Sequence, residues 1–229
     1  MKNNLLFLTQ KIGFLISYLT KNSFSETKLL KNIITDDSIV IDIGSNVGSY
    51  IDTINKINSK TKIYSIEPNE EILEFQKNKF MKNDNLEYFN FAIDNINGYR
   101  KFYFRSPTSH SSFFPSHQDK NFNNIIRSQH VKTVKLEDFI YDQKITKVKI
   151  LKIDIEGLDF ETLSSSKDLI LKNKIEFIKI ELNQDTFEKT ISFANQVNLK
   201  FLGISKSFYY KNTLNFMDVY FENNNKTRN

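Results

Sequence analysis

Apolar positions along this chain follow two periods, and the switches between them mark its elements. Leu5, Leu8, Ile12, Leu15, Ile16 and Leu19 fall at helical spacing, which predicts an amphipathic helical segment within residues 1–30 that packs on the domain. Ser38–Ile43 then reads as a buried strand, residues 44–48 as a turn, and Ser49–Ile57 as a helix. Lys62–Ile66 is a second strand ending at Glu67-Pro68-Asn69, with Asn69 placed to cap a helix from Glu70 to Phe80. Leu86–Phe91 and Tyr99–Phe104 read as further strands.

Ser106–His130 has no clear periodicity and is rich in Ser, His, Asn and Pro, so it is read as a long connection, functional or disordered. Next come a strand at Val131–Val134, a short turn at Leu136–Phe139 and a strong strand at Val148–Ile155. A helix over Asp159–Leu163, a strand over Ile175–Ile180 and a helix over Thr186–Val197 follow. Leu199–Ile204, Ser207–Tyr210 and Asn215–Phe221 close the domain as strands, and Asn223–Asn229 is expected to fray. Strands alternating with helices imply an α/β domain over residues 31–222, with a largely parallel sheet, helices on both faces and an antiparallel edge hairpin.

Composition narrows the chemistry. Hydrophobic residues make up 39% and charged residues 26% of the 229 positions, as in a folded domain. Cysteine is absent, which excludes disulfides, thiolate metal sites and a cysteine nucleophile and fits a reducing cytoplasm. The net charge of +5 is spread along the chain rather than clustered, so an ordinary solvated surface is favoured over a nucleic-acid face. The N-terminal apolar stretch is too short for a membrane span and carries Lys11 in its middle. Peripheral membrane contact through that helix is the lesser alternative.

Two motifs carry candidate chemistry. Asp42-Ile43-Gly44-Ser45-Asn46-Val47-Gly48 lies between a strand and a helix, where glycines let the backbone turn sharply beside a ligand. Glu67 ends the next strand, where an acid can bind ribose hydroxyls. The pattern lacks the second glycine of a dinucleotide-binding loop, and Asp42 could hold an ammonium directly or through water, so the motif favours S-adenosylmethionine over a dinucleotide. The second motif, Leu151-Lys152-Ile153-Asp154-Ile155-Glu156-Gly157, places Lys152, Asp154 and Glu156 at alternate positions of one strand end, where a lysine–carboxylate network is expected.

These two segments, with Glu67-Pro68-Asn69, Phe91-Ala92-Ile93-Asp94 and Thr133–Phe139, resemble the FkbM-type methyltransferases over residues 38–182. The resemblance implies a Rossmann-like class I methyltransferase with a mostly parallel seven-stranded sheet. By the same resemblance Asp42, Gly44, Asn46, Gly48, Glu67, Ala92, Ile93 and Asp154 would contact S-adenosylmethionine, with Ala92 and Ile93 approaching the adenine. It also implies O-methylation of a hydroxyl on a sugar, glycan, lipid or secondary metabolite. Asp154 is the first candidate for the base, which would otherwise hold the cofactor's amino group; Glu156 and Glu181 are the alternatives. His110, His117 and His130 lie in or beside the long connection and could also serve, while Ser111–Phe114 could form an aromatic lid. No tight histidine–carboxylate spacing appears, so no metal is expected. An RNA methyltransferase and a non-catalytic binder of the same cofactor stay open as alternatives. Nothing in the residues speaks to oligomeric state.

Overall fold

The computed structural model describes residues 24–106, 111–115, 124–210 and 213–225. Its helices are α1 (Glu26–Ile33), α2 (Ser49–Ile57), α3 (Glu70–Lys79), α4 (Leu136–Asp142), α5 (Asp159–Ser165), α6 (Lys167–Leu171) and α7 (Gln184–Gln196). Its strands are β1 (Ile39–Ile43), β2 (Lys62–Ile66), β3 (Leu86–Phe89), β4 (Ala92–Ile93), β5 (Gly98–Arg105), β6 (Ile125–Val134), β7 (Val148–Ile153), β8 (Ile175–Asn183), β9 (Leu199–Tyr210) and β10 (Thr213–Asn223). The main sheet has seven strands in the order β3-β2-β1-β7-β8-β10-β9. All neighbours from β3 to β8 are parallel, and β10 runs antiparallel to both β8 and β9. The expected parallel sheet with an antiparallel edge is therefore present.

Alternation along β1 feeds two cores. Ile41 and Ile43 join the apolar cluster under α4, α5, α6 and α7. Val40 faces the other way, toward Leu30 of α1 and Tyr50, Ile51 and Ile54 of α2. Both faces are buried, which is why the parallel strands read as near-continuous apolar runs. Caps set the helix starts: Ser25 accepts from the Lys28 N–H at 3.3 Å and Asn69 from that of Glu71 at 3.1 Å. At α7, Asn183 accepts from Asp185 and Thr186 N–H groups, and Thr186 Oγ1 accepts from the Asn183 N–H.

Five sequence readings change. Leu86–Phe91 divides: β3 stops at Phe89, and Ala92–Ile93 joins a separate three-stranded sheet of order β4-β6-β5. Ile125–His130, read as part of a connection, is the first half of β6, antiparallel to β5. Its outward residues are exposed on an arm, so no burial pattern betrays them. Leu136–Phe139, read as a turn, opens helix α4, with Leu136, Phe139 and Ile140 buried. The two strands read over Leu199–Tyr210 are one strand, irregular in its pairing with β10. At the C-terminus, the residues read as frayed begin anchored: Asn223 Nδ2 donates to Ile170 O and Ile175 O, and Asn225 Nδ2 to Val197 O at 2.8 Å. The helical segment read within residues 1–30 lies outside the described residues up to residue 23, and α1 begins at Glu26.

Candidate active site

Strand order reverses at β1, since the chain winds outward through β2 and β3 and later returns to β7 and β8 on the other side. A crevice opens at the carboxyl ends of the strands at such a point. The loop after β1 forms its floor. Gly44 has φ +71°, and a Cβ there would lie 1.9 Å from the Asp154 carbonyl oxygen, so only glycine fits. Gly44 and Ser45 N–H groups donate to Ile66 O at 3.0 and 3.2 Å. Ser65 Oγ donates to Gln76 Oε1 at 2.6 Å and Gln76 Nε2 to Ser45 Oγ at 2.8 Å, tying the loop to α3.

Carboxylates line the strand ends in register. Glu67 follows β2, Asp154 follows β7, Glu181 lies on β8, and Asp218 of β10 pairs with Glu181. Glu67 Oε2 accepts from the Asn46 N–H at 3.0 Å and Oε1 from that of Asn69 at 2.9 Å. Burial pushes the Glu67 carboxyl up to about 7 despite these two donors. Burial first, then the surrounding Asp154, Glu156, Asp159 and Asp218, hold Glu181 well above the usual carboxylate range. Asp159 was read only as a helix start. It accepts from Ile155 and Gly157 N–H groups at 3.0 and 3.1 Å, shaping the turn that carries Asp154 and Glu156, and burial raises it to about 7.

One layer beneath runs a second row on the same face of the sheet. Ser65, Asp42, Lys152, Lys179 and Tyr220 are successive register partners from β2 to β10, so their side chains share a face. Lys152 Nζ contacts Asp42 Oδ1 at 2.8 Å, Gly44 O at 3.2 Å and Asp154 Oδ2 at 3.3 Å. Burial works against the Lys152 ammonium, but Asp42 and Asp154 more than offset it and keep it protonated. Burial pushes Asp42 upward, and Lys152 opposes that push. Lys179 Nζ pairs with Glu26 of α1 at 2.9 Å and with Asp218 at 3.2 Å, and Tyr220 Oη donates to Glu26 at 2.7 Å.

The small sheet supplies the roof. Ser112 bridges to Tyr103 by two backbone hydrogen bonds, so Ser111–Pro115 lies along the edge of β5. The fully buried Arg105 donates to Ser112 Oγ at 3.0 Å and Phe114 O at 2.6 Å. Phe113 packs edge-on against Phe102, with centroids 5.1 Å apart. Between roof and floor lies a cavity of 320 Å³, lined by Gly44, Asn46, Glu67, Ala92, Ile93, Asp154, Glu156 and Glu181 together with Ile66, Phe91, Phe102, Ser111, Phe113, Lys206 and Phe216.

The structure thus gathers most of the residues singled out from the sequence into one cavity, with five exceptions. Asp42 is fully buried beneath the floor and does not line the cavity; its carboxylate pairs with Lys152, its register partner on β7. Gly48 does not line it either: it caps α2 at φ +76° against the Phe80 ring. His130 sits on exposed β6, away from the lining. His110 and His117 lie outside the described residues. Of the residues that were missed, Phe102 had a legible signal in the apolar alternation of β5. Lys206 and Phe216 had none, because only the antiparallel β9–β10 edge brings them to the cavity.

A parallel sheet with this strand order, an antiparallel last hairpin and a cavity over the β1 and β7 ends define a Rossmann-like methyltransferase fold. The Methyltransferase FkbM domain matches residues 42–226, and the chain belongs to that family of methyl-group transferases. No curated protein matches the chain. Among solved structures, a methyltransferase FkbM from Methylobacillus flagellatus superimposes with a TM-score of 0.54 at 13% identity, over 82% of this chain and 44% of that one. The chain therefore spans less than half the length of that relative. An rRNA methylase from Streptococcus thermophilus superimposes with a TM-score of 0.51 at 11% identity, covering 86% of this chain and 93% of its own. A methyltransferase from Streptococcus mutans, solved in complex with SAH, gives 0.50 at 12% identity, covering 86% and 94%. Among the described residues no helix is long and apolar enough to cross a membrane.

Proposed function

We propose that the chain is an S-adenosylmethionine-dependent O-methyltransferase whose acceptor is a hydroxyl of a sugar, glycan, lipid or secondary metabolite. One observation carries the reading: Glu67, Asp154 and Glu181 stand at the carboxyl ends of β2, β7 and β8 along a single cavity. With strands spaced about 4.8 Å apart, Glu67 and Asp154 are separated by about 10 Å and Glu181 lies about 5 Å further. That order suits a ribose, an amino-acid end and an acceptor in turn.

The residues fit the cofactor. Glu67 has spent one lone pair of each oxygen on a backbone N–H and still sits near 7, so it has use for two more donors, which vicinal hydroxyls provide. Ile66, Phe91, Ile93 and Phe102 form apolar walls next to it, suited to a flat heterocycle. Asp154 is partly open, with a side chain 38% exposed, and offers a carboxylate to an ammonium. Bound S-adenosylmethionine supplies a methyl group on a positively charged sulfur. Glu181 takes the acceptor's proton at its carboxylate as the new bond forms. Burial, with the four nearby acids, raises its affinity for that proton. Phe113 and Phe216 keep water from that end.

The reading is tested with radiolabelled S-adenosylmethionine and an array of glycans, lipids and RNA. Label should pass to a hydroxyl-bearing glycan or lipid. Glu181→Gln should lower kcat by about 10²- to 10⁴-fold while binding S-adenosylhomocysteine as the wild type does. Label only in RNA would overturn the acceptor class. Failure of the wild type to bind S-adenosylhomocysteine would overturn the whole reading.

A further inference from the structure

The pair Asp42–Lys152 is unexplained by folding alone. Its registered neighbours one layer down are Val40 and Ile150, and both flanking positions on β1 are isoleucine. An apolar pair would fill the same space without removing two charges from water, a cost that buried ion pairs often fail to recover. The pair is nonetheless kept at the layer beneath the cavity. Lys152 makes three contacts there: to Asp42, to the Gly44 carbonyl of the cofactor loop and to the Asp154 carboxylate. The loop and the Asp154 backbone are already so close that a methyl group cannot pass between them at Gly44. The two walls of the cavity thus meet at one ammonium.

We infer that Lys152 is a positioning residue, and that Asp42 acts through it. The ammonium fixes the Asp154 carboxylate relative to the loop, so that the carboxylate points at the cofactor's amino group without having to be ordered on binding. Asp42 is fully buried and absent from the cavity wall; its role is to hold the ammonium upright from below. The inference rests on the cofactor reading above. It assigns to a buried pair what the motif suggested as contact, direct or through water, between Asp42 and the cofactor.

The test is the double variant Asp42→Asn with Lys152→Met, which removes both charges together and leaves neither stranded. Its melting temperature should stay within a few degrees of the wild type, while its Kd for S-adenosylhomocysteine rises tenfold or more by calorimetry. The acceptor KM should not move, a split that a loosened fold would not produce. Lys152→Arg is the second variant: it keeps a charge for Asp42, but a planar guanidinium cannot repeat the three contacts of one ammonium, and the same rise in Kd is expected. Wild-type affinity in either folded variant overturns the inference. A wild-type protein that binds no S-adenosylhomocysteine overturns the cofactor reading instead, and the inference with it.

Discussion

Gly44→Ala and Gly48→Ala form a matched pair that separates backbone strain from damage to the site. Both glycines lie in the left-handed region, at φ +71° and +76°, where a Cβ costs about 1–2 kcal/mol. They differ in what the methyl group meets. At Gly48 it meets the edge of the Phe80 ring at 2.5 Å, at the C-terminal end of α3, and a ring can turn aside. At Gly44 it meets the Asp154 carbonyl at 1.9 Å, and backbone must move by about 1.5 Å to reach ordinary contact. That movement disturbs the Asp154 N–H bond to Ile43 O and the Gly44 N–H bond to Ile66 O, at about 1 kcal/mol each. Gly44→Ala should therefore lose about 3–4 kcal/mol, lowering the melting temperature by about 6–16 °C. Its affinity for S-adenosylhomocysteine should fall about 10²-fold, as for a 1 Å displacement in a site. Gly48→Ala should lose stability and keep its affinity. Differential scanning fluorimetry and calorimetry read the two quantities. Equal loss of affinity in both variants, or none in Gly44→Ala, would refute the account.

Three further outcomes follow from the buried charges. Glu67 is held near 7 against an ordinary 4.5, so the folded, ligand-free protein binds its proton more tightly than the unfolded chain does. That stabilisation is complete below about pH 4.5 and is lost as pH rises to about 7, by an amount on the order of 3 kcal/mol. Glu67→Gln should flatten this part of the melting-temperature profile, and an unchanged slope would contradict the assignment. Arg105→Met leaves Ser112 and Phe114 O without their guanidinium partner. The acceptor KM should then rise about tenfold with cofactor affinity kept, and steady-state kinetics with both substrates would check it. Glu26 precedes the matched family domain but neutralises Lys179. Glu26→Gln should lower stability by about 1–3 kcal/mol in denaturant melts, whereas an unaffected midpoint would mean that α1 is not part of the folded unit.

Much of the main sheet was legible because its strands are buried on both faces and flanked by glycine or capped helices. Ser49–Ile57 and Lys62–Ile66 begin and end where the pattern placed them. The same pattern failed on Ile125–His130, the first half of β6, where an exposed stretch of strand has no hydrophobic face to report. Leu136–Asp142 also escaped, since seven residues make too few turns for a helical period to stand out from a turn.

Local sequence by itself determined the turn after β1, the carboxylates at the ends of β2 and β7, and the alternation that leaves both sheet faces apolar. These follow from φ/ψ sterics and side-chain period, which act over a few residues. Tertiary structure alone decided that Asp42 turns inward to Lys152, that Glu26 reaches Lys179 across 153 residues of chain, and that Phe113 and Lys206 close a cavity built elsewhere. Those outcomes depend on strand order and register, because a carboxylate's role is set by whether its neighbour across the sheet is an ammonium, a backbone N–H or open space.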